Sequence, residues 1–418
     1  MYSKTHLHIL AFTFKWLLLA GLVGILSGSA SAFFLISLDL VSNYRETNFW
    51  VYYFLPVIGL TIGFLYYYLG KSVEKGNNQI IDEITRPQKR IPWHMAPLVL
   101  IGTLLTHLGG GSAGREGTAV QMGGSLADQL NHIFPFKASD RKILLICGIS
   151  AGFASVFGTP LAGTVFALEV YIIGRMRYEA LIPSLFAAII ADLICKMWGA
   201  THLNYTIRSV TEISFQNLLL ALLAGVIFAF AGWLFNKSIP FLKGFFDKIS
   251  YPPLRPFIGG LIILALLFAF DDFRLAGLGI STIVESFTVQ QPSYLFLFKI
   301  VLTAITLSSG FKGGEVTPLF FIGATLGSAL SFILPLPTDL LTAMGFVAVF
   351  AAAANTPLAC VFMGIELFGS ESGLFIAIAC LIAYLFSGHS GIYSSQIIGS
   401  PKHLIWTRHK GKNLKEIK

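Results

Sequence analysis

Charge is scarce in this chain of 418 residues: Asp, Glu, Lys and Arg make up 12% of it, against 55% hydrophobic residues. Water-soluble domains carry about 25% charged residues, so a soluble core is excluded and an integral membrane protein is implied. Cysteine is rare too, with four in all, Cys147, Cys195, Cys360 and Cys380, each in apolar surroundings and none at metal-ligand spacing. They read as buried free thiols, which excludes a disulfide scaffold and a cysteine-ligated metal centre. There is no Gly-x-Ser-x-Gly with partners, no His-Glu-x-x-His and no pair of aspartates within a helical stretch. An intramembrane enzyme needs a nucleophile with its base, or a metal cluster. No enzyme, no metal and no organic cofactor is therefore expected.

What the chain has in abundance is apolar runs, among them residues 16–40, 50–69, 93–108, 143–157, 181–195, 218–235, 257–270, 294–307, 319–334, 346–367 and 374–385. Several fall short of the ~20 residues that cross a bilayer squarely. Short apolar segments interrupted by Gly and Pro point to broken or strongly tilted helices that meet in mid-membrane. The formal net charge of +8 comes from basic residues between and beyond these runs. One cluster is Lys71, Lys75, Arg86, Lys89 and Arg90; another is Lys402, Arg408, Lys410, Lys412, Lys415 and Lys418. By the positive-inside rule both face the cytoplasm, serving topology and lipid headgroups, with no nucleic-acid partner. The first apolar run contains Ser27-Gly28-Ser29-Ala30-Ser31-Ala32, small enough for signal-peptide cleavage, yet it continues through Phe33 and Phe34. An uncleaved first helix is the better reading. Residues 1–15 are expected as a short cytoplasmic N-terminus and 401–418 as a basic cytoplasmic tail, with no soluble regulatory domain at either end.

Against this background one acid stands out. Glu116 lies in Gly114-Arg115-Glu116-Gly117-Thr118, preceded by Gly109-Gly110-Gly111-Ser112-Ala113. A glycine-rich turn, an acid and a helix start aim backbone N–H groups at an anion. An ionised Glu116 would occupy the place an anion wants and leave it on taking a proton, which is a proton-coupled anion gate in outline. In the plainer reading Glu116 is tied to Arg115 and only fixes the loop.

The chain also repeats itself. Thr159-Pro160-Leu161-Ala162 recurs as Thr356-Pro357-Leu358-Ala359, an offset of 197 (356 − 159), and Glu169 falls on Glu366. Gly114-x-Glu116-x-Thr118 recurs as Gly313-x-Glu315-x-Thr317, an offset of 199 (315 − 116). Proline in a first helical turn explains one such copy, but not two motifs at nearly one offset. Two membrane repeats follow, over 16–210 and 211–400. Such halves in transporters often run in opposite directions and share a midplane site, although the matching residues say nothing about direction.

Gly114-Arg115-Glu116-Gly117 matches the G-[RK]-E-G segment of the CLC family of chloride channels and proton-coupled anion exchangers, which the chain resembles from about Trp16 to Gln396. Gly313-Gly314-Glu315-Val316-Thr317-Pro318 lies where that family has G-x-F-x-P, and Tyr393 lies where it has a central tyrosine. The resemblance implies an all-α membrane protein with a CLC-type fold of two inverted-repeat halves, many tilted and broken helices, and a homodimer with one pathway per subunit. The departures narrow it. Where the family reads G-S-G-I-P, this chain has Lys75-Gly76-Asn77-Asn78-Gln79, so Asn77 or Asn78 would donate in place of a serine hydroxyl. Val316 replaces the usual phenylalanine, Thr118 a proline, and Val170 the second glutamate of a pair found in proton exchangers.

These departures resemble the fluoride-exporting branch. They imply a fluoride/proton antiporter of the bacterial plasma membrane, with Glu116 as the gating and proton-carrying carboxylate. A chloride/proton exchanger or a passive anion channel is the alternative within the family. The anion contacts implied are Gly76, Asn77, Asn78, Gly114, Arg115, Gly117, Val316, Thr317 and Tyr393. Asn77 and Thr317 would otherwise be helix caps, and Tyr393 an interfacial aromatic. Glu315 is open between stabilising the protonated gate, relaying protons and capping its own helix. Glu169 and Glu366 read as ending helices or pairing with loop cations, and His107 as a packed polar group.

Overall fold

The computed structural model describes residues 2–134, 136–203 and 205–417. Among these, the helices form two series of eight. The first is α1 (Tyr2–Thr47), α2 (Leu55–Tyr68), α3 (Asn77–Thr85), α4 (Met95–Gly109), α5 (Glu116–Ile133), α6 (Ala138–Phe157), α7 (Pro160–Glu169) and α8 (Leu181–Met197). The second is α9 (Phe215–Phe246), α10 (Leu254–Phe270), α11 (Ile280–Glu285), α12 (Leu295–Ser309), α13 (Val316–Leu330), α14 (Thr338–Ala354), α15 (Pro357–Phe368) and α16 (Gly373–Phe386). The packing matches from one series to the other: α1 on α8 and α9 on α16, α5 on α6 and α13 on α14. Stretches 10–47, 49–68, 178–197 and 215–246 are apolar and long enough to cross a membrane. Several other helices break off in the interior, α5 beginning at buried Glu116 and α14 ending at buried Ala354.

The direction of the halves is visible where they touch. Gly114 and Gly314 exchange backbone hydrogen bonds of 2.6 and 2.7 Å as an antiparallel bridge, so the first turns of α5 and α13 meet. The helices α7 and α15 pack head to tail. Glu169, ending α7, accepts from the N–H groups of Leu358 (3.3 Å) and Ala359 (2.9 Å), while Glu366 accepts from those of Leu161 (3.0 Å) and Ala162 (2.8 Å). Of the two readings, the one that ends helices holds, and among the described residues loop cations are not their partners. The physical reason is that Thr159 and Thr356 supply no side-chain cap, and unpaired first-turn amides require an acceptor from elsewhere.

Glycines set the closest helix pairs. A Cβ on Gly123 would lie 2.3 Å from the Gly148 carbonyl oxygen, and one on Gly323 2.0 Å from that of Gly345. Backbones in direct contact are a common solution for packing helices in lipid. The two ends of the chain are both structured. Residues 2–15 continue α1 without a break, since no Gly or Pro interrupts them. The tail folds back: β2 (Ile397–Ile398) pairs in parallel with β1 (Ile172–Ile173), and Leu414 packs with Ile173 and Ile398. Leu414 and Ile417 interrupt the basic run with apolar surface that gains from burial.

Candidate anion and proton site

Four segments converge where the halves meet: the loops entering α5 and α13, the start of α3, and the stretch after α16. Glu116, the first residue of α5, is 1% exposed. Its Oε2 accepts from the backbone N–H of Arg115 (3.1 Å) and of Thr317 (3.0 Å), and its Oε1 from the Thr317 hydroxyl (2.5 Å). The Arg115 Nε stands farther off, 3.7 Å from Oε1. The Thr317 amide belongs to the first turn of α13, where N–H groups have no partner within the helix and the dipole favours negative charge. The carboxylate is therefore seated among donors from both halves, and the Thr317 hydroxyl serves it rather than a helix end.

A cavity of about 150 Å³ is bordered by Gly76, Asn77, Asn78, Gln121, Lys312, Glu315 and Tyr393. Gly76 turns the chain into α3 with φ 54° and ψ −127°, a conformation open essentially to glycine. The two asparagines part company. Asn77 faces Gly117, where an added Cβ would come 3.0 Å from its Nδ2. Asn78 accepts from the Ser395 N–H (3.0 Å), tying α3 to the segment that carries Tyr393. Tyr393 is 3% exposed and sets its ring edge to Phe166 at 6.3 Å, so it is an interior residue rather than an interfacial one.

A second, narrow space of about 20 Å³ is bordered by Glu116 itself, with Arg115, Tyr205, Thr317, Phe320 and Phe346. It shares Phe157, Leu203 and Leu367 with a vestibule of about 340 Å³ that holds Lys196, His202 and Glu366. Glu116 itself borders the narrow space, while its neighbour Gly117 faces Asn77 on the α3-side cavity.

One equivalence read from the motifs is corrected. Gly114 pairs with Gly314, and α5 begins at Glu116 where α13 begins at buried Val316, so the halves align here at 200 (316 − 116) rather than 199. Glu315 therefore corresponds to Arg115, not Glu116. It occupies the position before α13 but makes no side-chain cap bond. A shift of one residue turns a helical side chain by about 100°, which sends Glu315 to the α3-side cavity and Glu116 to the donors. Gln121, Lys312, Tyr205, Phe320 and Phe346 had not been anticipated. Lys312 carried a signal, lying in the same glycine loop as Glu315; Tyr205 and Phe346 arrive from distant segments and carried none.

The position of α3 is held by a buried ion network. Arg141 on α6 donates to Glu83 (2.9 Å) and to Asp128 (2.7 and 2.8 Å), and Asp128 also accepts from the Ile91 N–H (2.7 Å). Substituting Arg141→Leu leaves two buried carboxylates without their cation. Removing one partner of a buried pair costs about 3–5 kcal/mol, so a clearly lower thermal-unfolding midpoint is expected in detergent; an unchanged midpoint would show that the network contributes nothing.

Interlocked halves, opposed helix starts and a carboxylate held by anion donors define an ion-transport protein of the membrane. A family profile described as voltage gated chloride channel matches residues 58–388, and the chain belongs to this family, the CLC proteins. Its members are transporters and channels, not enzymes. A Pseudomonas syringae pv. tomato protein described as a chloride/fluoride channel protein is 52% identical over 95% of this chain and 89% of its own length. Of solved structures, a CLC-type fluoride/proton antiporter superposes with a TM-score of 0.89 at 37% identity, over 92% of this chain and 98% of that one. A slow cyanobacterial Cl-/H+ antiporter shares the fold, with a TM-score of 0.77 at 22% identity over 89% and 94% of the two chains. The likeness groups this multi-pass bacterial membrane protein with the fluoride/proton antiporter branch.

Proposed function

We propose that this protein exports fluoride from the cytoplasm in exchange for protons, with Glu116 as gate and proton carrier. The observation that carries this reading is the seat of the Glu116 carboxylate among three donors of both halves, at the edge of a narrow space that borders a wider vestibule. The solved fluoride/proton antiporter at 37% identity supports the choice of ions. Fluoride is small and holds its water tightly, so removing that shell takes several short, strong donors. The first turn of α13, the Thr317 hydroxyl and the Asn77 amide are such donors. Bonds to an ionised acceptor are about twice as strong as neutral ones. Chloride, larger and softer, gains less from donors that converge so closely.

Coupling follows from competition for those donors. A charge at the membrane centre costs about 2.5–3.5 kcal/mol on insertion scales, so a Glu116 that gives up its donors leaves protonated. One carboxylate alternating in this way exchanges a fluoride outward for a proton inward, which suits a chain with Val170 where proton exchangers have a glutamate. In this reading Gly76, Asn78, Gly114, Arg115, Gly117 and Val316 shape the anion's contacts, Tyr393 closes the α3 side, and Glu315 belongs to the proton path. The same reading includes repeats over 16–210 and 211–400, cytoplasmic termini in the plasma membrane, and a homodimer with one pathway per subunit.

Reconstituted in liposomes, the protein should drive protons uphill when given a fluoride gradient, and do so far less with chloride. Equal chloride exchange would return the assignment to a chloride/proton exchanger, and fluoride flux without proton movement to a passive channel.

A further inference from the structure

Lys312 is a cation built into the wall of the α3-side cavity. Three elements place it. Its stem lies on Gly102 of α4, where an added Cβ would come 2.9 Å from the lysine Cγ. Its backbone N–H donates to the Thr106 hydroxyl at 3.2 Å. Its ammonium sits 3.9 Å from the centroid of the Tyr66 ring on α2. Among the described residues no carboxylate comes within 4.0 Å of that nitrogen, and the ammonium faces the ring instead. Lys75, on the same cavity, is different: its side chain is 72% exposed and lies 3.7 Å from Asp82. The cavity's two acids are Glu74 and Glu315.

A ring face attracts an ammonium but accepts none of its three N–H donors in the manner of an oxygen or a halide. Lys312 is half-buried, so its charge is partly shielded from bulk water yet still open to a partner in the cavity. Lysine presents a compact, strongly hydrated point charge, unlike the broad guanidinium of arginine, and so suits a compact anion.

We propose that Lys312 is the anion-recruiting cation of the pathway: it draws fluoride into the α3-side cavity and sets the affinity there, before the ion meets Asn77 and the donors around Glu116. Tyr66 holds the ammonium at the wall, so that it attracts the ion without following it. This inference rests on the fluoride reading above and adds a specificity-determining residue to it.

The test is initial fluoride efflux from proteoliposomes at graded internal fluoride, at low and high concentrations of an impermeant salt. For Lys312→Met, which keeps the stem and loses the charge, the half-saturating fluoride concentration should rise about tenfold and its salt dependence flatten, because screening acts on the charge that has gone. The maximal rate should stay within about twofold, since the donors at Glu116 are untouched. Lys312→Arg should restore the salt dependence, which a purely structural lysine would not require. An unchanged half-saturation in Lys312→Met overturns the proposal while leaving coupled transport by the wild type intact. If that variant does not fold, the wild type decides: half-saturation must rise with salt, and a flat profile overturns the idea. Wild-type vesicles that move no fluoride would instead remove the underlying functional reading.

Discussion

Replacing Glu116 by glutamine should abolish fluoride-driven proton movement. The amide has nearly the shape of the carboxylate but takes up no proton in the working range. Its NH2 group also lacks an acceptor where the Arg115 and Thr317 amides now donate to Oε2. Positioned proton transfer is worth roughly 10²–10⁴ in rate, so proton flux in Glu116→Gln liposomes should fall at least a hundredfold, by about that same measure. Any remaining fluoride flux should be passive and follow its own gradient. The measurement is a pH-sensitive dye in vesicles bearing a fluoride gradient, with the variant shown to be monodisperse. Robust coupled exchange in the glutamine variant would refute the role given to this carboxylate.

The second large effect is one of packing. In Gly323→Val a Cβ would meet the Gly345 carbonyl oxygen at 2.0 Å and its carbon at 2.5 Å, both rigid backbone atoms. The helices α13 and α14 cannot keep their contact. Overpacking usually costs about 1–3 kcal/mol, occasionally more, and a clash with main chain belongs at the upper end. Because α13 begins with Val316 and Thr317, its displacement also moves the donors from Glu116. Little folded protein is expected, and what survives should melt early and transport poorly. Gly244→Ala is the control: nothing lies within 4 Å of its added carbon, so folding should be unaffected. A Gly323→Val protein as stable as this control would show that the close approach is not required.

Much of the site was legible because its chemistry is local. A glycine turn, an acid and a helix start fall within a few residues, and Gly114 to Thr118 read the same way in the sequence and in the fold. The second copy was legible as a copy but misaligned by one residue, since Gly313, Glu315 and Thr317 repeat the letters of the first motif without repeating its helical phase. Sequence similarity scores identities, whereas the bridge between Gly114 and Gly314 answers to backbone geometry. Glu169 and Glu366 were recognised as helix ends, but their partners lie about 190 and 205 residues away and leave no mark nearby.

Composition and pattern alone determined that the chain lives in lipid, that it is a doubled half, and that Glu116 stands between a glycine-rich turn and a helix start. These follow from hydrophobic period and turn chemistry, which act over a few residues. The tertiary structure decided what needs two distant segments at once: the opposed direction of the halves, the Thr317 donors on the Glu116 carboxylate, the opposite facing of Glu315, and Lys312 on Tyr66. Hydrogen bonds and charges act over a few ångströms of space regardless of chain separation, so contacts between the halves exist only once the whole chain has packed.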